Sequence, residues 1–261
     1  LEAQPVEEKS SFKATNAKKC SPPSLQWDSK PASSDTSINT TGLNHKTNIP
    51  AEEKSTAMKT FRMYPTSINE RYLDEITHLL KQGGLIIYPT DSLYAIGCDA
   101  LNNRAVERVC RIKNINPAKQ RLSMVCSGIS QASEYARIDN EAFRMLKANL
   151  PGPFTFILPA SNKLAKAFKG RREVGVRVPD NNIALRLAQA LGNPLLSASV
   201  EIEDAATDTL QSAEELQLRY ENLVDAIIDG GSSPGLPSAV IDLADSSSPE
   251  ILREGIRPLI S

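Results

Sequence analysis

Only two histidines, His45 and His78, and four cysteines, Cys20, Cys98, Cys110 and Cys126, occur in 261 residues. No two cysteines form a CxxC pair, and none stands at metal-ligand spacing from a histidine. That scarcity argues against a histidine triad and against a histidine-rich metal site. The cysteines read as small buried hydrophobes in a reducing compartment, so a cytoplasmic protein is expected. His78 falls in an amphipathic helical pattern and is expected at the surface or its boundary. No apolar run approaches the ~18–20 residues of a membrane span. Thirty basic residues face 31 acidic ones, a formal charge of -1, so no global field advertises a nucleic-acid binder and any basic site must be local. Neither G-x-x-x-x-G-K-[ST] nor G-x-G-x-x-G is present, which removes both standard nucleotide fingerprints.

What is present divides into two parts. Residues 1–57 are rich in Ser, Thr, Lys, Asn and Pro, carry only Phe12 and Trp27 as aromatics, and show no sustained periodicity. Such a composition buries too little apolar surface to offset the entropy of ordering it, so a disordered extension is expected. It has no apolar signal core and no arginine before Arg62, unlike a secretory or mitochondrial leader. Met58 is the first methionine. The expectation is that the native chain starts there and that residues 58–261 form one domain.

Within that domain, Leu73, Ile76, Leu79 and Leu80 recur at helical spacing before Gly83-Gly84. Leu85–Tyr88, Leu122–Cys126, Phe154–Leu158, Val174–Val178 and Leu195–Val200 read as strands. So do Ala226–Ile228, Ala239–Leu243 and Ile251–Arg253. Asn102 or Asn103 caps a helix to about Ile112, Asp139 one to about Leu150, and Ser212 with Glu215 one to about Tyr220. Another helix spans Ile183–Leu191. Several links are too short for parallel crossovers. A mixed sheet covered by helices on both faces, in a single α/β domain, is predicted.

Leu85–Ala100, LIIYPTDSLYAIGCDA, is the most informative stretch. Pro89 ends an apolar run, and Thr90, Asp91 and Ser92 follow at once. This is either an ordinary strand-turn-strand corner or polar groups held at a strand end to meet a ligand. Lys and Arg residues (Arg108, Arg111, Lys113, Lys119, Arg121) gather around the loop NINPAKQ, although each alone reads first as part of a solvated helix face. Arg177 stands in a Val-rich strand, where burial costs several kcal/mol without an anionic partner, either an acidic side chain or a ligand carboxylate or phosphate. Ser197 and Ser199 share one strand face, as core hydroxyls or as ligand contacts. A glycine-rich loop, Gly230–Ser238, and the cation Arg253 lie near the C-terminus.

Six collinear segments carry a family resemblance: GGLIIYPTDSLYAIGCDAL, VCRIKNINPAKQRLSMVC, PGPFTFIL, VGVRVPDNNIALRLAQALGNPLLSAS, PSAVIDLAD and EILREG. From Met58 onward the chain resembles the YrdC-like proteins, whose best-known members are threonylcarbamoyl-AMP synthases, and is most similar to their YciO branch. The resemblance implies a three-layer α/β fold, a twisted mixed β-sheet flanked by helices, with a large basic cavity. It implies ATP, L-threonine and bicarbonate as partners, with Mg²⁺ carried by ATP and not caged by protein, and a link to threonylcarbamoyladenosine in tRNA. By the family's motifs, Thr90, Arg177, Ser197 and Ser238 would contact threonine. Lys113, Ser199 and Arg253 would contact ATP.

Two motifs depart from the family. K-x-R reads Lys113-Asn114-Ile115, and S-x-N reads Ser197-Ala198-Ser199. Each change removes a polar ligand contact, worth ~1–3 kcal/mol where charge is involved. Lys119 or Arg121 is the expected basic substitute. Two alternatives to a synthase follow from the resemblance: a non-catalytic binder of double-stranded RNA or tRNA, and an enzyme of this fold acting on another carbamoyl or nucleotide substrate.

Overall fold

Side-chain caps set most helix starts in the computed structural model, which describes residues 57–116, 122–164, 172–200 and 212–260. The expected extension, apart from residue 57, and the proposed substitutes Lys119 and Arg121 lie outside the described residues. Asn69 Oδ1 accepts the Tyr72 N–H to open α1 (Glu70–Lys81), and Asn102 Oδ1 accepts the Ala105 N–H to open α2 (Asn103–Ile112). Asp139 opens α4 (Asn140–Asn149), Asn181 opens α5 (Asn182–Leu191), and Ser212 opens α6 (Ala213–Tyr220). In each, a short polar side chain satisfies an N–H that the helix itself leaves unpaired. α3 (Ile129–Tyr135) starts at Gly128 with no side-chain cap.

The strands are β1 (Lys59–Arg62), β2 (Ile86–Tyr88), β3 (Ala95–Asp99), β4 (Ser123–Val125) and β5 (Phe154–Pro159), then β6 (Glu173–Arg177), β7 (Leu195–Ser199), β8 (Ala226–Asp229), β9 (Ala239–Asp242) and β10 (Glu250–Arg253). They form one mixed sheet in the order β1-β8-β2-β3-β7-β4-β6-β5-β9-β10. β8 pairs in parallel with both β1 and β2, while β3 runs antiparallel to β2 and β7. β1, β3 and α3 are elements the sequence reading did not place.

Strand alternation divides the core in two. On one face Ile87, Ile96, Met124, Phe154, Phe156, Val176, Leu196 and Ile241 pack against α2, α3, α4 and α6. On the other, Ile86, Tyr88, Ala95, Val125, Leu195 and Ile228 meet Leu73, Ile76 and Leu80 of α1 and Ile183, Leu187 and Leu191 of α5. Each such Leu or Ile contributes roughly 1.5–3 kcal/mol through burial. α1 and α5 cover this second face only where β1, β8, β2 and β3 lie and at the near ends of β7 and β4. Beyond them the face continues across β7, β4, β6, β5 and β9 and is lined by polar side chains.

No helix among the described residues is long and apolar enough to cross a membrane. Cys98, Cys110 and Cys126 are buried free thiols, and burial pushes the Cys126 thiol up to about 12. His78 is exposed, with its Nε2 2.8 Å from Gln82 Nε2.

Candidate functional site

The polar stretch of the second face is the floor of a cavity of about 310 Å³. Sheet register arranges it in rows. Ser197 pairs with Ser123, Ser123 with Gly175, and Gly175 with Ile157. A Cβ at Gly175 would lie 2.5 Å from Ser123 Oγ, so the missing side chain makes room for that hydroxyl. The next row holds Arg177 beside Val125. Thr155 stands opposite Arg177, one residue past the Phe156–Val176 pair. Thr155 then pairs with Val240, and Val240 with Arg253. Three inter-strand spacings separate the Arg177 and Arg253 backbones, about 14 Å.

The wall at the other end comes from the C-terminus of α2. Asn114 takes a left-handed conformation, φ 50°, which asparagine tolerates better than most residues. The Ile115 N–H then reaches back to the Cys110 carbonyl at 2.8 Å, closing the helix. This turn sends both Lys113 and Ile115 into the cavity. The departed K-x-R motif therefore presents one cation and one apolar side chain.

Arg177 is only 4% exposed and yet lines the cavity. Its Nη2 donates to Asp91 Oδ1 at 3.0 Å and to Ser92 Oγ at 2.8 Å. Asp91 Oδ2 accepts the Asp180 backbone N–H at 2.8 Å. Burial pushes the Asp91 carboxyl above its ordinary value, against the downward pull of Arg177 and of the Asp180 N–H. The Arg177 Nε–H is buried and has no acceptor among the described residues. The sequence left open whether Arg177 meets an acidic side chain or a ligand. The structure supplies the acid, Asp91, and leaves one N–H over.

Lys113, Arg177, Ser197, Ser199, Ser238 and Arg253 all line this one cavity. Thr90 does not. It is buried behind the cavity, where its Oγ1 donates to the Leu93 carbonyl at 2.7 Å, accepts the Ser92 N–H at 3.1 Å and touches Ser92 Oγ. Thr90 thus supports Ser92, which in turn contacts Arg177. Ser123 and Thr155 line the floor and were not singled out in the sequence. Their alternation with the apolar Met124, Phe154 and Phe156 is the signal that would have found them.

The Gly230–Ser238 loop is fastened to the PTDS turn. Tyr94 Oη donates to the Gly231 carbonyl at 2.6 Å and accepts the Gly230 N–H at 3.1 Å, while Ser233 Oγ donates to the Ser92 carbonyl. Gly231 has φ 89°, a backbone that L side chains rarely adopt. At the far end of the loop, the Ser238 carbonyl accepts Arg253 Nε at 3.1 Å. Lys113, Arg177 and Arg253 line the cavity and no carboxylate does so among the described residues, although the charge of Arg177 is offset by Asp91 behind it.

A family model described as telomere recombination, covering the Sua5, YciO and YrdC proteins, matches residues 78–255. The chain belongs to this family. An uncharacterized Haemophilus influenzae protein is 41% identical over 197 residues, 75% of this chain and 94% of that one. The crystal structure of Escherichia coli YciO superposes with a TM-score of 0.70 at 37% identity, covering 76% of this chain and 96% of YciO. Pyrococcus abyssi Sua5 complexed with L-threonine gives a TM-score of 0.66 at 29% identity, covering 77% of this chain and 58% of Sua5. The mixed α/β sheet flanked by helices matches the YciO and Sua5 structures.

Proposed function

We propose that the protein is an L-threonylcarbamoyladenylate synthase-like enzyme using ATP, L-threonine and bicarbonate. The observation that carries this reading is the row from Arg177 to Arg253, which holds two guanidinium-bearing residues about 14 Å apart at the backbone on the floor of one cavity. A ligand with a carboxylate at one end and phosphate at the other matches that spacing. The complex of L-threonine with Pyrococcus abyssi Sua5, a member of the same family, supports it further.

In this reading Arg177 and its neighbours hold the threonine carboxylate. The threonine amine attacks CO₂ formed from bicarbonate, releasing a proton to water and giving a carbamate. A carbamate oxygen attacks the ATP α-phosphate, and the bond to pyrophosphate breaks. Lys113 and Arg253 stabilise charge on the phosphates, so catalysis is positioning and electrostatics without a side-chain nucleophile. No group of three His, Cys, Asp or Glu side chains among the described residues is placed to hold a metal ion. In this reading Mg²⁺ would come with ATP, and no step is routed through it.

The test is pyrophosphate release by the full chain given ATP, Mg²⁺, bicarbonate and a panel of amino acids. Threonine-dependent release is expected. No release with any amino acid, together with salt-dependent binding of double-stranded RNA or tRNA, would replace the synthase by a non-catalytic RNA binder.

A further inference from the structure

The two edges of the sheet are built differently. β1 exposes Lys59, Thr60 and Arg62 and buries only Phe61, and its two cations are held in ion pairs with Glu75 and Asp229. Charged side chains of this kind keep an edge strand from pairing with another chain. β10, at the opposite edge, carries two large apolar residues, Ile251 and Leu252, that are 46% and 42% exposed. Ile251 is also the last member of an apolar row. Strand register runs this row from Leu196 through Met124, Val176, Phe156 and Ile241 to Ile251. All of it is buried except that final residue.

The charges of β10 are complementary to themselves. The register shifts by one residue at Leu252, so that Glu250 stands opposite Asp242 and Arg253 opposite Val240. Glu250 and Arg253 therefore share the sheet face that Val240 and Arg253 give to the cavity. Glu250 faces a like charge in Asp242, which is unfavourable across a ladder, and it makes no ion pair among the described residues.

We propose that β10 is the interface of a homodimer, pairing antiparallel with β10 of a second copy about a two-fold axis between Ile251 and Leu252. In that register Glu250 of each copy lies opposite Arg253 of the other, and Ile251 lies opposite Leu252. Every contact occurs twice, as an isologous interface requires. The apolar row continues into the second copy, and Glu250 gains a cation on the side away from Asp242. Paired residues of an antiparallel ladder share a face, so the two cavities open on the same side of one continuous sheet. A four-residue strand is smaller than the ~800 Å² per subunit of a standard interface, even with Ile256, 40% exposed, following it. The dimer is therefore weak and concentration-dependent.

Sedimentation equilibrium of the full chain tests this. The wild-type protein is expected to dimerise in the micromolar range. Ile251→Lys should leave a monomer at every concentration. Glu250→Arg sets like charges opposite each other twice and should weaken the dimer at least ~10-fold. Combining it with Arg253→Glu restores opposite charges and should bring association back within about threefold of wild type. A wild-type protein that stays monomeric into the millimolar range overturns the inference. So does a dimer that Ile251→Lys and Glu250→Arg leave intact, which would place the contact elsewhere. A folded double variant that remains as weak as Glu250→Arg refutes the register. Should circular dichroism show Ile251→Lys unfolded, Leu252→Lys carries the same comparison, and should the double variant unfold, the single substitutions decide.

Discussion

Arg177 and Asp91 are joined by a buried ion pair, Nη2 to Oδ1 at 3.0 Å, although 86 residues separate them in sequence. The side chains are 4% and 8% exposed. A cation that lines the cavity is therefore also a structural partner, and its removal acts on the fold and on the site together.

Arg177→Met should destabilise the protein by about 3–5 kcal/mol at neutral pH, because Asp91 is left buried and unpaired. The loss should depend on pH. Burial already raises the folded-state value of Asp91, and Arg177 is one of the groups pulling it down. Without Arg177 the carboxyl rises further. A group raised on folding contributes stability below its unfolded value and loses it as pH climbs through the folded one. The Asp91-linked part of the deficit should thus be smallest near pH 4 and grow toward pH 8. Urea unfolding across that range measures it, and a flat deficit would refute the assignment.

Asp91→Asn combined with Arg177→Met should be more stable than Arg177→Met alone. The amide removes the stranded charge yet can still accept the Asp180 N–H that Asp91 takes now. A double-mutant cycle should return a coupling of about 1–3 kcal/mol. Additive effects would mean that the two side chains do not interact in solution.

Tyr88→Phe should be neutral or stabilising by up to ~1 kcal/mol, since the Tyr88 hydroxyl is buried with no hydrogen-bond partner among the described residues. Burial also pushes this phenol up to about 12, although it lies near Ser197 and Arg177. A loss above 1 kcal/mol in thermal unfolding would reveal a true bond to Ser197.

Gly255→Ala should loosen the cavity's far wall without altering a lining residue. The added Cβ would stand 2.1 Å from the Ala239 backbone nitrogen and 2.8 Å from the Ser238 carbonyl carbon. The backbone must shift, at about 1–3 kcal/mol, and β10 carries Arg253. Hydrogen exchange should show faster exchange in β10 with β2 and β7 unchanged.

Much of the fold was legible because local chemistry announces itself. Asn102, Asp139 and Ser212 each cap the helix their positions promised, and Pro89 follows the last residue of β2. β3 was read only as the far side of a strand-turn-strand corner, because Ala95–Asp99 carries Gly97 and Asp99, both poor strand formers. β1 is short and mostly exposed, and its partner β8 lies more than 160 residues away. At the site, Arg177 stood out as a charge in a Val-rich strand, and Ser197 with Ser199 by their two-residue spacing. Asp91 as its partner did not, because a pair spanning 86 residues leaves no periodic trace. Thr90 carries the family's motif position, yet its hydroxyl is committed to the turn itself. Thr155 was overlooked because the apolar run around it resembles an ordinary buried strand.

The cavity floor is a stretch of sheet that α1 and α5 leave unroofed, and this separates two kinds of evolutionary change. Ser123, Thr155, Arg177, Ser197 and Ser199 on this floor stand outside the large apolar cluster of the opposite face. A change at Ser199 alters what the floor offers a ligand while the packed layers beneath keep their shape, whereas Ile115 also packs against the large cluster. The fold can therefore drift in chemistry along β7 without first being rebuilt.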